Sequence, residues 1–215
     1  MAGLLEKDIR LILQRKQALI LFVALSVLLG YTQEGTFILG YLPVLILILA
    51  VSTISYDELD HGFTFLMTLP IDAKTYVTEK YVFCGSAGIV SWLMAIVIYA
   101  VAGMMHGKSM EIADEMLMLF MFLVVVVLMM AFMIPIQIKY GANGSRMIIL
   151  VVFGITMLLA FALKAVIGEE RISAIQQSLD TISDMSVTIC TITMGVLALI
   201  ISYLCSLNAM RKKAL

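Results

Sequence analysis

Charge is scarce in this sequence. Only 13% of its 215 residues are Asp, Glu, Lys or Arg, about half the share of a soluble domain. Histidine occurs twice, as His61 and His106, in loops on opposite sides of the apolar runs, so no HExxH helix or other zinc pair can form. The three cysteines, Cys84, Cys190 and Cys205, all sit inside apolar runs. They read as small apolar side chains, not as a disulfide framework or a metal site. A nucleotide loop is missing too. The nearest approach, Gly103-Met-Met-His-Gly107-Lys108-Ser109, has three residues between its glycines where a P-loop has four, and no strand precedes it. Gly85-Ser86-Ala87-Gly88 has no histidine in reach, so it is not a nucleophile elbow. Tyr56-Asp57 has no second aspartate inside an apolar run, as an intramembrane aspartyl protease needs. The scarcity of charge, in a chain that is mostly apolar, excludes an ordinary soluble enzyme domain, a disordered tail and a nucleic-acid binder. No catalytic residue, bound cofactor or metal ligand is expected on this chain, and it shows no internal repeat or low-complexity segment.

What is present is apolar surface. Hydrophobic residues make up 62% of the chain and the mean hydropathy is +1.08. Lipid is the solvent in which so much of it can stay exposed. A helix crosses about 30 Å of hydrocarbon with roughly 20 residues. Charge-free stretches predict six spans, at about 17–33, 35–56, 81–105, 116–138, 147–163 and 185–208. The first and fifth are short, and Lys16 and Lys164 can snorkel beside them. Glu34 alone separates the first two, which makes a tight hairpin turning through Tyr31–Gly35. Pro43 and Pro135 fall inside spans, as embedded helices tolerate when neighbours satisfy the freed carbonyls.

Six spans put both termini on one side. Segments 1–16, 57–80, 139–146 and 211–215 share that side and hold eleven Lys and Arg; the other side holds three, Lys108, Lys164 and Arg171. The positive-inside rule then makes both termini cytoplasmic. Seven acids lie inside and eight outside, so the near-neutral total of −1 divides into +4 and −5. The first 16 residues are too charged for a cleavable signal peptide. The predicted architecture is an all-α integral membrane protein, one transmembrane domain over 1–215.

Three pieces lie outside the spans. Residues 3–16 form a short amphipathic helix, with Leu5, Ile9, Ile12 and Leu13 on one face, either lying on the inner membrane surface or extending the first span. Residues 57–80 read as helix, break, helix. Leu59, Phe63, Leu66 and Pro70 share a face, Pro70 stops the first helix, and Asp72 can cap a second that runs into the third span. This loop is longer than a connection needs, which fits a docking element; an interfacial connector resting on lipid is the plainer alternative. Residues 164–184 carry Ile172, Ile175, Leu179 and Ile182 on one face, either dipping into the outer leaflet or lying as a surface helix. Within the spans, Met118, Val125, Met129 and Met133 can share a face of the fourth. They either line a path for apolar cargo or pack against lipid and helices. Ala87, Ser91 and Ala95, with Cys84 and Gly88, predict close packing of the third span.

Buried ionisable residues commonly mark ion sites and proton relays, and the six spans carry none. Either the protein moves nothing, or its energy comes from a separate subunit docked on a cytoplasmic element, for which 57–71 is the candidate.

Asp57-Glu58, then Thr68-Leu69-Pro70-Ile71, Tyr76-Val77 and Lys80-Tyr81 resemble the "acid … s-L-P-i … y-V … K-Y" run of the ABC-2-type permease subunits of bacterial ABC exporters. Just after Leu-Pro-Ile, where that family often carries a base, this chain has Asp72, with Lys74 close behind. The resemblance covers essentially the whole chain. It is nearest to the exporters of phenol-soluble modulins and antimicrobial peptides, with sodium-exporter and lantibiotic-immunity permeases close in pattern. It implies a non-catalytic permease in the bacterial cytoplasmic membrane, paired with a second permease copy and two ABC ATPase subunits that hold ATP and Mg. It makes 57–72 the coupling region, with Asp57, Glu58, Asp60, His61, Phe63 and Leu66 facing the ATPase and 58–69 as the helix itself. Residues 3–16 become a connecting helix, and the loop Lys139–Arg146, turning at Asn143-Gly144, sits nearby. The charge-free spans fit an apolar or amphipathic cargo better than an ion or a sugar, and the resemblance implies an amphipathic or antimicrobial peptide, with Met118, Met129 and Met133 as candidates for its path. A non-transporting scaffold or immunity protein is the alternative from another class; an intramembrane enzyme lacks its motifs.

Overall fold

The structure, a computed structural model, describes residues 2–32, 36–58, 72–105, 116, 118–141 and 184–213. Among these the fold is helical: α1 Ala2–Gln14, α2 Lys16–Thr32, α3 Thr36–Glu58, α4 Ala73–Met105, α5 Met118–Gly141 and α6 Asp184–Lys213. The helices α3, α4, α5 and α6 are each long and apolar enough to cross a membrane, and the bent pair α1–α2 makes a possible fifth crossing. The expected fifth span at 147–163, residues 164–183 of the outer loop and the turn Asn143-Gly144 lie outside the described residues.

Each helix follows from its sequence. α2 and α3 are separated by only three residues, which fits the predicted hairpin. Pro43 is carried inside α3 without ending it. α4 is one helix of 33 residues, longer than the predicted third span because it begins at Ala73. At 1.5 Å per residue it is about 50 Å long, some 20 Å more than the hydrocarbon core needs. Asp72 stands just before it, and its carbonyl accepts the Tyr76 N–H at 3.1 Å. α5 ends at Gly141, whose φ of 60° is a left-handed conformation that suits glycine.

Two apolar cores stack along the bundle. One gathers Ile38, Leu39, Leu42 and Ala95, with Phe22, Met118 and Phe122 packed against it. The other gathers Leu47, Val51, Ile54, Tyr76, Val77, Phe83, Cys84, Val126, Met130, Ile134, Ile138 and Met210. Leu5 and Ile12 of α1 pack on this second core, so both chain ends meet at one end of the bundle, called the basic end below. α3 packs most extensively on α4. Of the small residues read from the sequence, Cys84, Gly88, Ser91 and Ala95 of α4 are buried, while Ala87 is only half-buried. A methyl added at Gly88 falls 3.3 Å from Val126 Cγ1 of α5, and one added at Gly30 of α2 falls 2.7 Å from Ile38 Cδ1. Hydroxyls sew helices together without charge. Tyr81 bonds Ser202 and Ser206 of α6, Tyr203 pairs with Thr78 at 3.0 Å, and the lone Trp92 donates to the Leu119 carbonyl of α5 at 3.1 Å.

Outward faces are apolar. Val82, Ile89, Val90, Leu93, Val97 and Val101 of α4 are exposed, as are Ile192, Val196, Ile200 and Leu204 of α6. On a soluble protein such stripes would aggregate; against lipid they are the ordinary surface.

Candidate functional site

The charges excluded from the middle of the spans collect at the basic end, inside the protein. α1 does not continue α2. The two meet at a bend of 66° around Arg15, whose carbonyl accepts the N–H of Ala18 at 2.9 Å and of Leu19 at 3.2 Å. Its guanidinium sits 4.8 Å from the centre of the Tyr56 ring. The bend lays α1 across the last turns of α3 and the first turns of α4. Leu5 and Ile12 then pack inward while Ile9 and Leu13 stay exposed, so the predicted apolar face is divided between protein and surroundings.

The face of α1 that meets α3 and α4 carries Leu4 and Asp8, both buried. Asp8 accepts from Lys80 of α4, and its Oδ2 also takes the Thr53 hydroxyl of α3 at 3.3 Å. Lys80 reaches Asp57 Oδ2 of α3 at 2.8 Å, and the Tyr76 hydroxyl donates to the same oxygen at 2.9 Å. Lys7 bonds Asp57 Oδ1 and lies 3.5 Å from Asp8 Oδ1. The Lys80 ammonium also sits 5.2 Å from the centre of the Tyr76 ring. The side chains of Lys80 and Asp8 are wholly buried and Asp57 is nearly so. Charges this deep persist only when paired and hydrogen-bonded, and breaking one pair strands its partner. The cluster therefore fastens three elements together: the N-terminal helix and the two helix ends from which residues 59–71 depart.

The predicted coupling residues divide accordingly. Asp57 is turned inward to this cluster, and Glu58 is the last residue of α3. Asp60, His61, Phe63 and Leu66 lie outside the described residues. The methionines do not share one setting. Met118 packs on the first core, Met133 on the second, and Met129 is exposed. Met130, which was not singled out for the path, lines an open groove of about 400 Å³ with Tyr81, Val82, Leu199, Ile200, Tyr203 and Leu204.

Of Lys7, Asp8, Tyr76, Glu79 and Lys80, the sequence marks only Tyr76 and Lys80, as members of the family-like run, and gives none of them a site role. The signal was positional. Tyr76, Lys80, Cys84 and Gly88 follow i, i+4 spacing on the buried ridge of α4, and Asp8 lies between Leu4 and Ile12 at the same spacing on α1. A charge in register with an apolar or small-residue ridge marks a buried partner. Buried ionisable residues are thus present, at the end of the third-span helix and not within the predicted span itself.

Among the described residues no group of His, Cys, Asp or Glu could hold a metal ion. No curated protein and no solved structure matches the chain. The family described as ABC-2 family transporter protein matches residues 3–211, nearly the whole length. With that match and its apolar helices, the chain belongs to the ABC-2 transporter family, as a multi-pass membrane component of an ABC transporter.

Proposed function

We propose that this permease exports amphipathic or antimicrobial peptides from the bacterial cell, driven by two copies of a separate ABC ATPase that hold ATP and Mg. Two copies of the chain pair in the cytoplasmic membrane with their basic ends inward. Residues 58–69 seat in the ATPase as a coupling helix, with Glu58, Asp60, His61, Phe63 and Leu66 toward it and Asp57 as its inward anchor. The observation that carries this reading is the ion cluster. Asp57 and Lys80 close the two ends of segment 59–71 against each other and against α1. A push on that segment then reaches three helices at once, without a charged path through the bilayer. The absence of Asp, Glu, Lys and Arg from the middle of the spans, and the apolar groove beside Met130, support an amphipathic cargo over an ion or a sugar.

The test is ATP hydrolysis by the reconstituted complex in liposomes. Amphipathic peptides stimulate it and accumulate on the far side of the membrane from ATP. Stimulation by sodium with none by such peptides overturns the cargo assignment.

A further inference from the structure

Lys80 has more acceptors than it uses. Its ammonium binds Asp8 from α1 and Asp57 from α3, and a third carboxylate, Glu79, lies 3.8 Å away on its own helix. Glu79 is 1% exposed, and neither of its oxygens has a hydrogen-bond partner among the described residues. Asp8 Oδ1 is in the same position, with the Lys7 ammonium at 3.5 Å and the Glu79 carboxylate close by. Two lysines face three carboxylates, so the ionised cluster carries one negative charge in excess. An apolar side chain at 79 would spare the fold that excess. A carboxylate here is better explained by a second arrangement of the same residues.

We propose that Glu79 is the alternate partner of Lys80, taking over the ammonium when α1 and Asp8 withdraw. Asp57 stays on Lys80 in both arrangements, so α3 and α4 remain joined while α1 is released. α1 is a separate helix, attached to α2 through a single residue at the Arg15 bend. Without Glu79, withdrawal of Asp8 would leave a buried ammonium with one acceptor for its charge. With Glu79, the Asp8–Lys80 pair is exchanged for a Glu79–Lys80 pair, while the Lys7–Asp57 bond is given up and Lys7 leaves with α1. The proposal rests on the coupling reading for its role in transport, since movement of 57–69 is what displaces α1. The exchange itself belongs to this chain and is measured without the ATPase.

The experiment is a double-mutant cycle on the purified permease in nanodiscs at mildly alkaline pH, read by the unfolding equilibrium and by amide hydrogen exchange. Asp8→Asn and Glu79→Gln each bring the cluster from one excess negative charge to none; together they leave one excess positive charge. Glu79→Gln alone leaves the unfolding constant unchanged or lowers it. In the Asp8→Asn background the same change raises it more than tenfold, a reversal of sign. Asp8→Asn alone speeds exchange across α1 at least tenfold and leaves the first turns of α4 protected; the double variant loses both. In a Lys80→Met background the reversal disappears, because no ammonium remains to be shared. Effects that simply multiply, or an Asp8→Asn variant that fails to fold by itself, overturn the proposal. Because no ATPase is present, that outcome leaves the coupling reading standing. Loss of ATPase binding by the wild-type chain would strike the coupling reading alone.

Discussion

Replacing Lys80 with methionine keeps most of the length of the side chain and removes its charge. In the structure the ammonium holds Asp57 at 2.8 Å and Asp8 in a direct ion pair, with the Glu79 carboxylate 3.8 Å away. With an effective dielectric of about 20, Coulomb attraction at those two distances is about 6 and about 4 kcal/mol. Desolvation of the buried charges takes back much of this, and removing one partner of a buried pair costs about 3–5 kcal/mol net. Lys80→Met therefore raises the unfolding constant by two to more than three orders of magnitude, at 1.4 kcal/mol per tenfold. The assay is reversible unfolding of the permease in mixed micelles, followed by tryptophan fluorescence, since Trp92 lies on α4 itself. The control is the ion pair Arg10–Glu6, whose side chains are 74% and 63% exposed. Glu6→Gln there costs no more than about 0.5 kcal/mol. Asp8→Asn added to Lys80→Met recovers part of the loss, because one stranded carboxylate is gone. A Lys80→Met protein as stable as the Glu6→Gln control refutes the claim that the cluster fastens α1, α3 and α4.

The remaining predictions concern a hydroxyl, two glycines and the coupling segment. Tyr76→Phe deletes the bond to Asp57 and destabilises by about 1.5–3 kcal/mol in the same unfolding assay. Gly85→Ala, where the nearest atom beyond the helix is Met130 Sδ at 3.9 Å, is neutral or stabilising by up to about 1 kcal/mol. Gly88→Leu drives a side chain into Val126 and costs about 1–3 kcal/mol, so the two glycines of one helix respond with opposite sign. Glu58→Gln and Phe63→Ala leave the complex assembled but separate ATP hydrolysis from transport in proteoliposomes; normal transport by both removes 58–69 from the coupling role.

Much of the fold was legible because lipid imposes a simple rule. A span must be long, apolar and free of charge, so α3, α5 and α6 lie close to the charge-free stretches that predicted them. The small residues 84, 88, 91 and 95 were legible for a related reason, since close helix approach needs the absence of bulk. The ion cluster was not legible by counting charges, because counting treats a charge at a helix end as solvated. Lys80 and Asp57 stand just outside the predicted spans; the register of Lys80 with Cys84 and Gly88 marks it as interior, but its pairing with Asp8 of α1 comes only from the fold. That pairing is long-range and has no local periodicity. The acidic start of the coupling region was therefore read as one outward face, while the structure turns its first member, Asp57, inward.

The bonds of the cluster join residues far apart along the chain: Lys7 to Asp57 across 50 positions, and Asp8 to Lys80 across 72. A ribosome emits these residues in order. α2 and α3 are synthesised before Lys80 exists, so Asp8 has no partner on α4 while both of those helices are made. Biogenesis thus has a checkpoint in its middle. Until the start of α4 emerges, the N-terminal helix has no binding site, and a nascent chain arrested before Lys80 would leave it open to proteases that spare the finished protein.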